Sequence, residues 1–114
     1  MSGRQAYDRA KLVELFGDDE ATLAEVEREF LETARVAEQE IVGTDDLTVI
    51  ARAAHRLKGA SGMIGAAALH QIAADVERVA KAGDLSSVRR LHETFAREVA
   101  RVSLQVDAPS ARSS

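Results

Sequence analysis

The sequence of 114 residues has no cysteine and no tryptophan, one proline, and only four aromatic residues, a tyrosine and three phenylalanines. Without cysteine there is no disulfide framework, no thiolate metal site and no cysteine nucleophile. No apolar run approaches the ~20 residues that a membrane span requires. The opening Met1-Ser2-Gly3-Arg4-Gln5 lacks the apolar segment of a signal peptide. The formal charge of −4 leaves no basic excess of the kind that a nucleic-acid binder carries. The expectation is a soluble, cytoplasmic protein that binds neither nucleic acid nor membrane. What remains is 46% hydrophobic and 30% charged, rich in Ala, Glu, Arg, Leu and Val. That composition reads as an all-α protein of one domain, long enough for a single core.

The pattern divides the chain into a loose polar terminus over residues 1–6, a helical domain over 7–106 and a small polar tail over 107–114. A short amphipathic segment from Tyr7 to Phe16 sets Ala10, Leu12, Val13 and Phe16 on one side, and Gly17 ends it. Asp18 or Asp19 then caps a helix from about Asp19 to Val42. Its inward positions are Leu23, Val26, Phe30, Ala34, Ala37 and Ile41. Its other face, Glu25, Glu27, Arg28, Glu29, Glu32, Arg35, Glu38 and Glu40, reads as solvated. Gly43 closes that helix, and Thr44, Asp45 or Asp46 caps a third that runs to about Ile64. A fourth, Ala66 to Ala82, turns Leu69, Ile72, Val76 and Val79 inward. The fifth, from Asp84 to about Gln105, carries the stripe Val88, Leu91, His92, Phe95, Val99, Val102 and Val106. Four long helices with short Gly/Asp connections are expected to pack as an antiparallel up-down four-helix bundle, the short N-terminal helix lying across one end.

The third helix has two distinct faces. Leu47, Ile50, Ala54, Leu57, Ser61 and Ile64 step by threes and fours as a packed stripe, with Ser61 as a small core residue. His55, Lys58, Gly59 and Gly62 share another face at i, i+3, i+4 and i+7. At ~100° per residue, His55 lies roughly 130° around the helix from the centre of the stripe, open to solvent. A glycine inside a helix costs about 1 kcal/mol relative to alanine, and two of them accompany this histidine. Two readings stay open: small residues at a close helix crossing, or a flat apron through which another protein's surface reaches His55. The other histidines read differently. His92, at the edge of the last stripe, is a partly buried packing residue, and His70, beside Leu69, is an exposed helix residue. Neither faces a second histidine or a carboxylate at i+3 or i+4 that would make a metal pair. Arg56 points ~100° away from His55.

His55-Arg56-Leu57-Lys58-Gly59-Ala60-Ser61, followed by Gly65-Ala66, resembles the signature of histidine-containing phosphotransfer (HPt) domains of bacterial phosphorelays. Glu77 stands where HPt domains, and the similar phosphoacceptor domain of chemotaxis kinases, often carry Glu or Gln. Gly17-Asp18-Asp19 ahead of a long helix with Phe30 in its middle is similar to these domains too. The resemblance runs from about Tyr7 to Val106. It implies that His55 accepts a phosphoryl group from a receiver aspartate or a sensor histidine kinase and passes it to another receiver. Histidine suits the task because its unperturbed pKa of ~6.5 leaves a ring nitrogen free as a nucleophile near neutral pH. In a hairpin turning near Gly65, His55 and Glu77 are offset by only about 3 Å along the bundle. Glu77 is therefore the candidate acceptor of the Nδ1 proton, orienting the ring. Lys58 is the candidate cation for the phosphoryl oxygens, and Gly59 and Gly62 the docking surface.

No G-x-x-x-x-G-K-[ST] loop or kinase signature is present, nor the acidic pocket and strand pattern of a magnesium-binding receiver. The chain is expected to be a carrier rather than an enzyme, a monomer with no cofactor of its own, the magnesium ion belonging to the partner receiver. Two alternatives remain: a non-phosphorylated helical adaptor that docks a receiver or kinase, and a phosphoacceptor domain fed by a chemotaxis-type kinase.

Overall fold

Aspartate starts most of the helices. The computed structural model describes residues 5–107, and within them the chain forms α1 (Arg9–Phe16), α2 (Glu20–Val42), α3 (Leu47–Met63), α4 (Ala67–Lys81) and α5 (Leu85–Val106). Asp8, Asp19, Asp46 and Asp84 cap α1, α2, α3 and α5, each carboxylate accepting a backbone amide from the first turn. Each cap satisfies one of the four amides that a helix start leaves unpaired. Helix α4 has no side-chain cap. It begins instead from a tight turn, in which the Ala66 amide donates to the Ser61 carbonyl at 2.9 Å. Gly65 makes that turn at φ 74°, and a Cβ there would lie 2.7 Å from the Cβ of Asp8. Both the left-handed backbone and the crowding demand glycine.

The tight turn folds α3 back on α4, and this pair forms the most extensive helix contact. Helix α2 packs on α3, α4 on α5, and α5 on α2, so the four long helices enclose one core in an all-helical bundle. Among the described residues no strand occurs, and no helix is long and apolar enough to cross a membrane. The inward stripes are those the spacing predicts: Leu23, Phe30, Ala34, Ala37 and Ile41 from α2, and Ile50, Ala54, Leu57 and Ile64 from α3 and its end. Leu69, Ile72 and Val76 come from α4, and Val88, Phe95, Val99 and Val102 from α5.

Three expectations fail at one end of the molecule. Ala6, assigned to the loose terminus, is buried, and its amide donates to Gln105 Oε1 at 2.6 Å. Glu27, placed on the solvated face of α2, is buried because it accepts the hydroxyl of the buried Tyr7 and meets Arg9 Nε at 3.4 Å. In α1 only Leu12 is buried; Ala10, Val13 and Phe16 are exposed. The physical reason is where α1 is held. It packs mainly on α2, while the residues just before it do the anchoring. The Tyr7 ring stands edge-on to Phe30, and the Asp8 amide donates to the Ile64 carbonyl at 3.1 Å. The remaining terminal expectations, on residues 1–4 and 108–114, lie outside the described residues.

Candidate functional site

Along α3 the helical period sends Leu57 and Ala54 into the core and turns His55 outward, its side chain 67% exposed. Across the seam, α4 turns Glu77 inward, where it is only 6% exposed. The two meet with His55 Nδ1 at 3.0 Å from Glu77 Oε2. Glu77 also receives Lys58 Nζ on Oε1 at 2.9 Å and Lys81 Nζ on Oε2 at 3.0 Å. The Lys58 ammonium above all, then Lys81 and the imidazole, hold the Glu77 carboxyl at about 2 against the opposing effect of burial. An ionised carboxylate only accepts hydrogen bonds. Nδ1 of a neutral His55 therefore carries the proton, and Nε2, on the ring's free edge, keeps its lone pair.

Lys58 sits where the helical spacing predicts, one turn after His55, but it is tied to Glu77 and about one third exposed. Lys81 was not singled out by the sequence, although its spacing of i+4 from Glu77 on a helix is that of an ion pair. A cavity of about 490 Å³ opens beside His55, lined by Leu47, Ala51, Arg52, Glu77 and Lys81 among others. Lys58 does not line it, so two further cations, Arg52 and Lys81, border this side of the imidazole.

The two glycines differ. Gly59 is exposed, with nothing within 4 Å of where a Cβ would stand. Gly62 is not open apron: a Cβ there would lie 3.2 Å from Nδ1 of His70. The His70 ring packs beside Gly62, which stays partly exposed, so the flat surface expected of the two glycines is open at Gly59 and narrowed at Gly62. His70 is correspondingly part-buried rather than exposed, with Nδ1 at 2.8 Å from the Lys58 carbonyl oxygen. His92 is partly buried, as expected, and its Nε2 lies 3.6 Å from Glu38 Oε2. Arg56 turns away from His55 and pairs with Glu40 at 2.5 Å. Ser61 is fully buried, and its hydroxyl has no hydrogen-bond partner among the described residues. Among the described residues no group of three or more His, Asp or Glu side chains could hold a metal ion.

The helical bundle thus presents an exposed imidazole against a buried carboxylate that also holds two lysines. Comparison with protein families matches residues 12–105 to the Hpt domain, most of the chain. The chain belongs to the histidine-containing phosphotransfer family. No curated protein and no solved structure matches it. Family membership carries phosphotransfer in a phosphorelay, as a phosphocarrier exchanging with two-component receiver or kinase partners.

Proposed function

We propose that His55 accepts a phosphoryl group from the phospho-aspartate of a receiver domain, or from a sensor histidine kinase, and delivers it to the aspartate of another receiver. The observation that carries this reading is the contact between the exposed His55 and the buried Glu77 at 3.0 Å. The Nε2 lone pair attacks phosphorus while the bond from phosphorus to the aspartyl oxygen breaks, and that oxygen leaves with the electron pair. Nδ1 keeps its proton throughout, so the phosphorylated ring is cationic, and the Glu77 carboxylate opposite it stabilises the charge that develops. Delivery is the reverse reaction with a second carboxylate.

Phosphoryl transfer asks mainly for in-line positioning and charge stabilisation of the equatorial oxygens. Lys58 and Lys81 bring two positive charges against the single negative charge of Glu77, leaving an excess beside the imidazole. Gly59 leaves the surface flat where a partner approaches. The magnesium ion is that of the partner receiver, and the carrier works in the cytoplasm as a monomer. The helix contacts, read with the short connections, fit an antiparallel up-down order that brings α3 and α4 side by side.

Incubation with a panel of phosphorylated receivers and kinases tests this reading. Label on the protein should be acid-labile and base-stable, as a phosphoramidate is. His55→Gln should take up none, with its helical circular dichroism unchanged. Label that survives in His55→Gln, or that follows His70 or His92, sinks the assignment. A protein that binds these partners and never takes label is an adaptor instead.

A further inference from the structure

Outside the motif, one histidine makes a contact that the carrier chemistry does not use. His70 Nδ1 lies 2.8 Å from the carbonyl oxygen of Lys58. A carbonyl only accepts, so this nitrogen carries a hydrogen and donates. The ordinary helical partner of that carbonyl is the amide of Gly62, four residues on. Gly62 is also the position at which a Cβ would crowd His70, at 3.2 Å from Nδ1 and 3.4 Å from Cε1. The glycine therefore opens a slot in α3 through which an imidazole from α4 reaches the backbone. This accounts for a residue that costs about 1 kcal/mol inside a helix.

The slot lies in line with the site. His70 and Glu77 are seven residues apart on α4, two turns along one face. Both grip the same residue of α3: His70 holds the Lys58 carbonyl, and Glu77 holds its ammonium at 2.9 Å and the imidazole of His55 at 3.0 Å. Apolar contacts alone tolerate a small slide of one helix along another, because dispersion is non-directional. A hydrogen bond is not tolerant in this way. One residue of rise, ~1.5 Å, is enough to break contacts of this length.

We propose that His70 is a positioning residue, whose Nδ1–H bond to the Lys58 carbonyl sets the register of α4 along α3 at which Glu77 meets His55. The effect on His55 tautomers stands on geometry alone; the effect on transfer rests on the carrier reading.

Two variants separate the hydrogen bond from the packing. His70→Asn keeps a side-chain donor near the place of Nδ1 and gives up the ring. His70→Phe keeps a ring in the slot and gives up the donor. Nitrogen NMR on His55, at a pH where it is neutral, should find the Nδ1–H form dominant in the wild type and in His70→Asn. In His70→Phe the Nε2–H form should rise several-fold, and transfer from a phosphorylated receiver should slow several-fold, with helical circular dichroism unchanged. A packing role predicts the opposite order. Any result in which His70→Asn holds the His55 tautomer no better than His70→Phe overturns the proposal, including one in which both match wild type. If the wild type takes no phosphate at all, the carrier reading fails, and the tautomer measurement still decides the role of His70.

Discussion

Glu27 and Glu77 are buried to the same degree, 6% exposed each. Each stands four residues after one buried residue and three before another: Leu23 and Phe30 around Glu27, Ala73 and Ala80 around Glu77. Their partners separate them. Glu27 accepts the hydroxyl of Tyr7, itself 1% exposed, and meets Arg9. Burial, then the carboxylate beside it, pushes the Tyr7 phenol far above its ordinary range, so the hydroxyl stays a neutral donor. Glu77 accepts from His55, two thirds exposed, and from Lys58 and Lys81, the latter at the border of a cavity. A buried carboxylate whose partner is sealed in fastens two segments. The same carboxylate behind a partner that reaches solvent can orient that partner for chemistry.

Closing off the access should do the most to erase this difference. Gly59→Leu sets a branched side chain one turn beyond His55, leaning back toward it, in space that is open now. Transfer should fall on the order of 100-fold, the scale of a misplaced reacting group. Helical circular dichroism and the urea midpoint should hold or rise slightly, since leucine is the better helix former. A Gly59→Leu protein that unfolds would place Gly59 at a packed crossing instead.

Removing each carboxylate should sharpen the comparison. Glu77→Ala should slow transfer roughly tenfold, about 1.4 kcal/mol on the barrier, with both His55 tautomers populated. Glu77→Gln keeps an acceptor oxygen and should fall between alanine and wild type. Glu27→Ala leaves the Tyr7 hydroxyl buried without its acceptor, which costs about 1–3 kcal/mol of stability, while the transfer rate of the folded protein is unchanged. Urea unfolding and transfer time courses on the same preparations check both. Equal losses in the two alanine variants on both readouts would collapse the distinction.

Acid should reach the site gradually. Glu77 is held at about 2 in the folded protein, below its usual value of 4.5. Because its folded value is depressed, the stability it contributes is complete above the usual value and is lost as pH falls from there through about 2. Lys58→Ala removes the largest cause of the depression, so the Glu77 carboxyl, followed by carbon NMR, should titrate at a higher pH. A Glu77 titration unchanged in that variant would remove Lys58 from the pair.

The smallest effect belongs to Ser61, beneath the site. Its buried hydroxyl has no hydrogen-bond partner among the described residues. Ser61→Ala should therefore add about 1 kcal/mol of stability, read as a higher urea midpoint, with transfer unaffected. A lower midpoint would mean that the hydroxyl has found a partner.

The periodicity of α3 was enough to turn His55 outward, because residue spacing on a helix fixes direction whatever the neighbours are. The reach of Glu77 to His55 was legible as well, from the family resemblance and from separations of ten and twelve residues to the turn at Gly65. Glu27 was misread for a specific reason. Its position falls on the inward stripe between Leu23 and Phe30, and its charge was allowed to outweigh that spacing. The signal was present, but the hydroxyl that makes burial tolerable lies 20 residues upstream. The packing of the His70 ring beside Gly62 was not legible. It depends on which way the His70 ring turns and how closely α3 and α4 approach, and spacing along one helix encodes neither. The apolar side of α1 misled because a helix two turns long can be held by its leading residues and leave its own face bare.

The Gln105 side chain has a consequence for how the molecule opens. It takes the Ala6 amide on Oε1 and donates Nε2 to the Tyr7 carbonyl at 3.2 Å, joining positions 99 residues apart. The helix hairpins close short loops, whereas this clasp closes nearly the whole chain, and the entropy of closure grows with loop length. Its closure is therefore expected after the bundle has brought both ends together. Amide exchange at Ala6 should outrun exchange inside α3, with the bundle still folded. A pull applied at residues 6 and 105 loads the clasp first, and the pair of His55 and Glu77 feels it only when the bundle itself gives way.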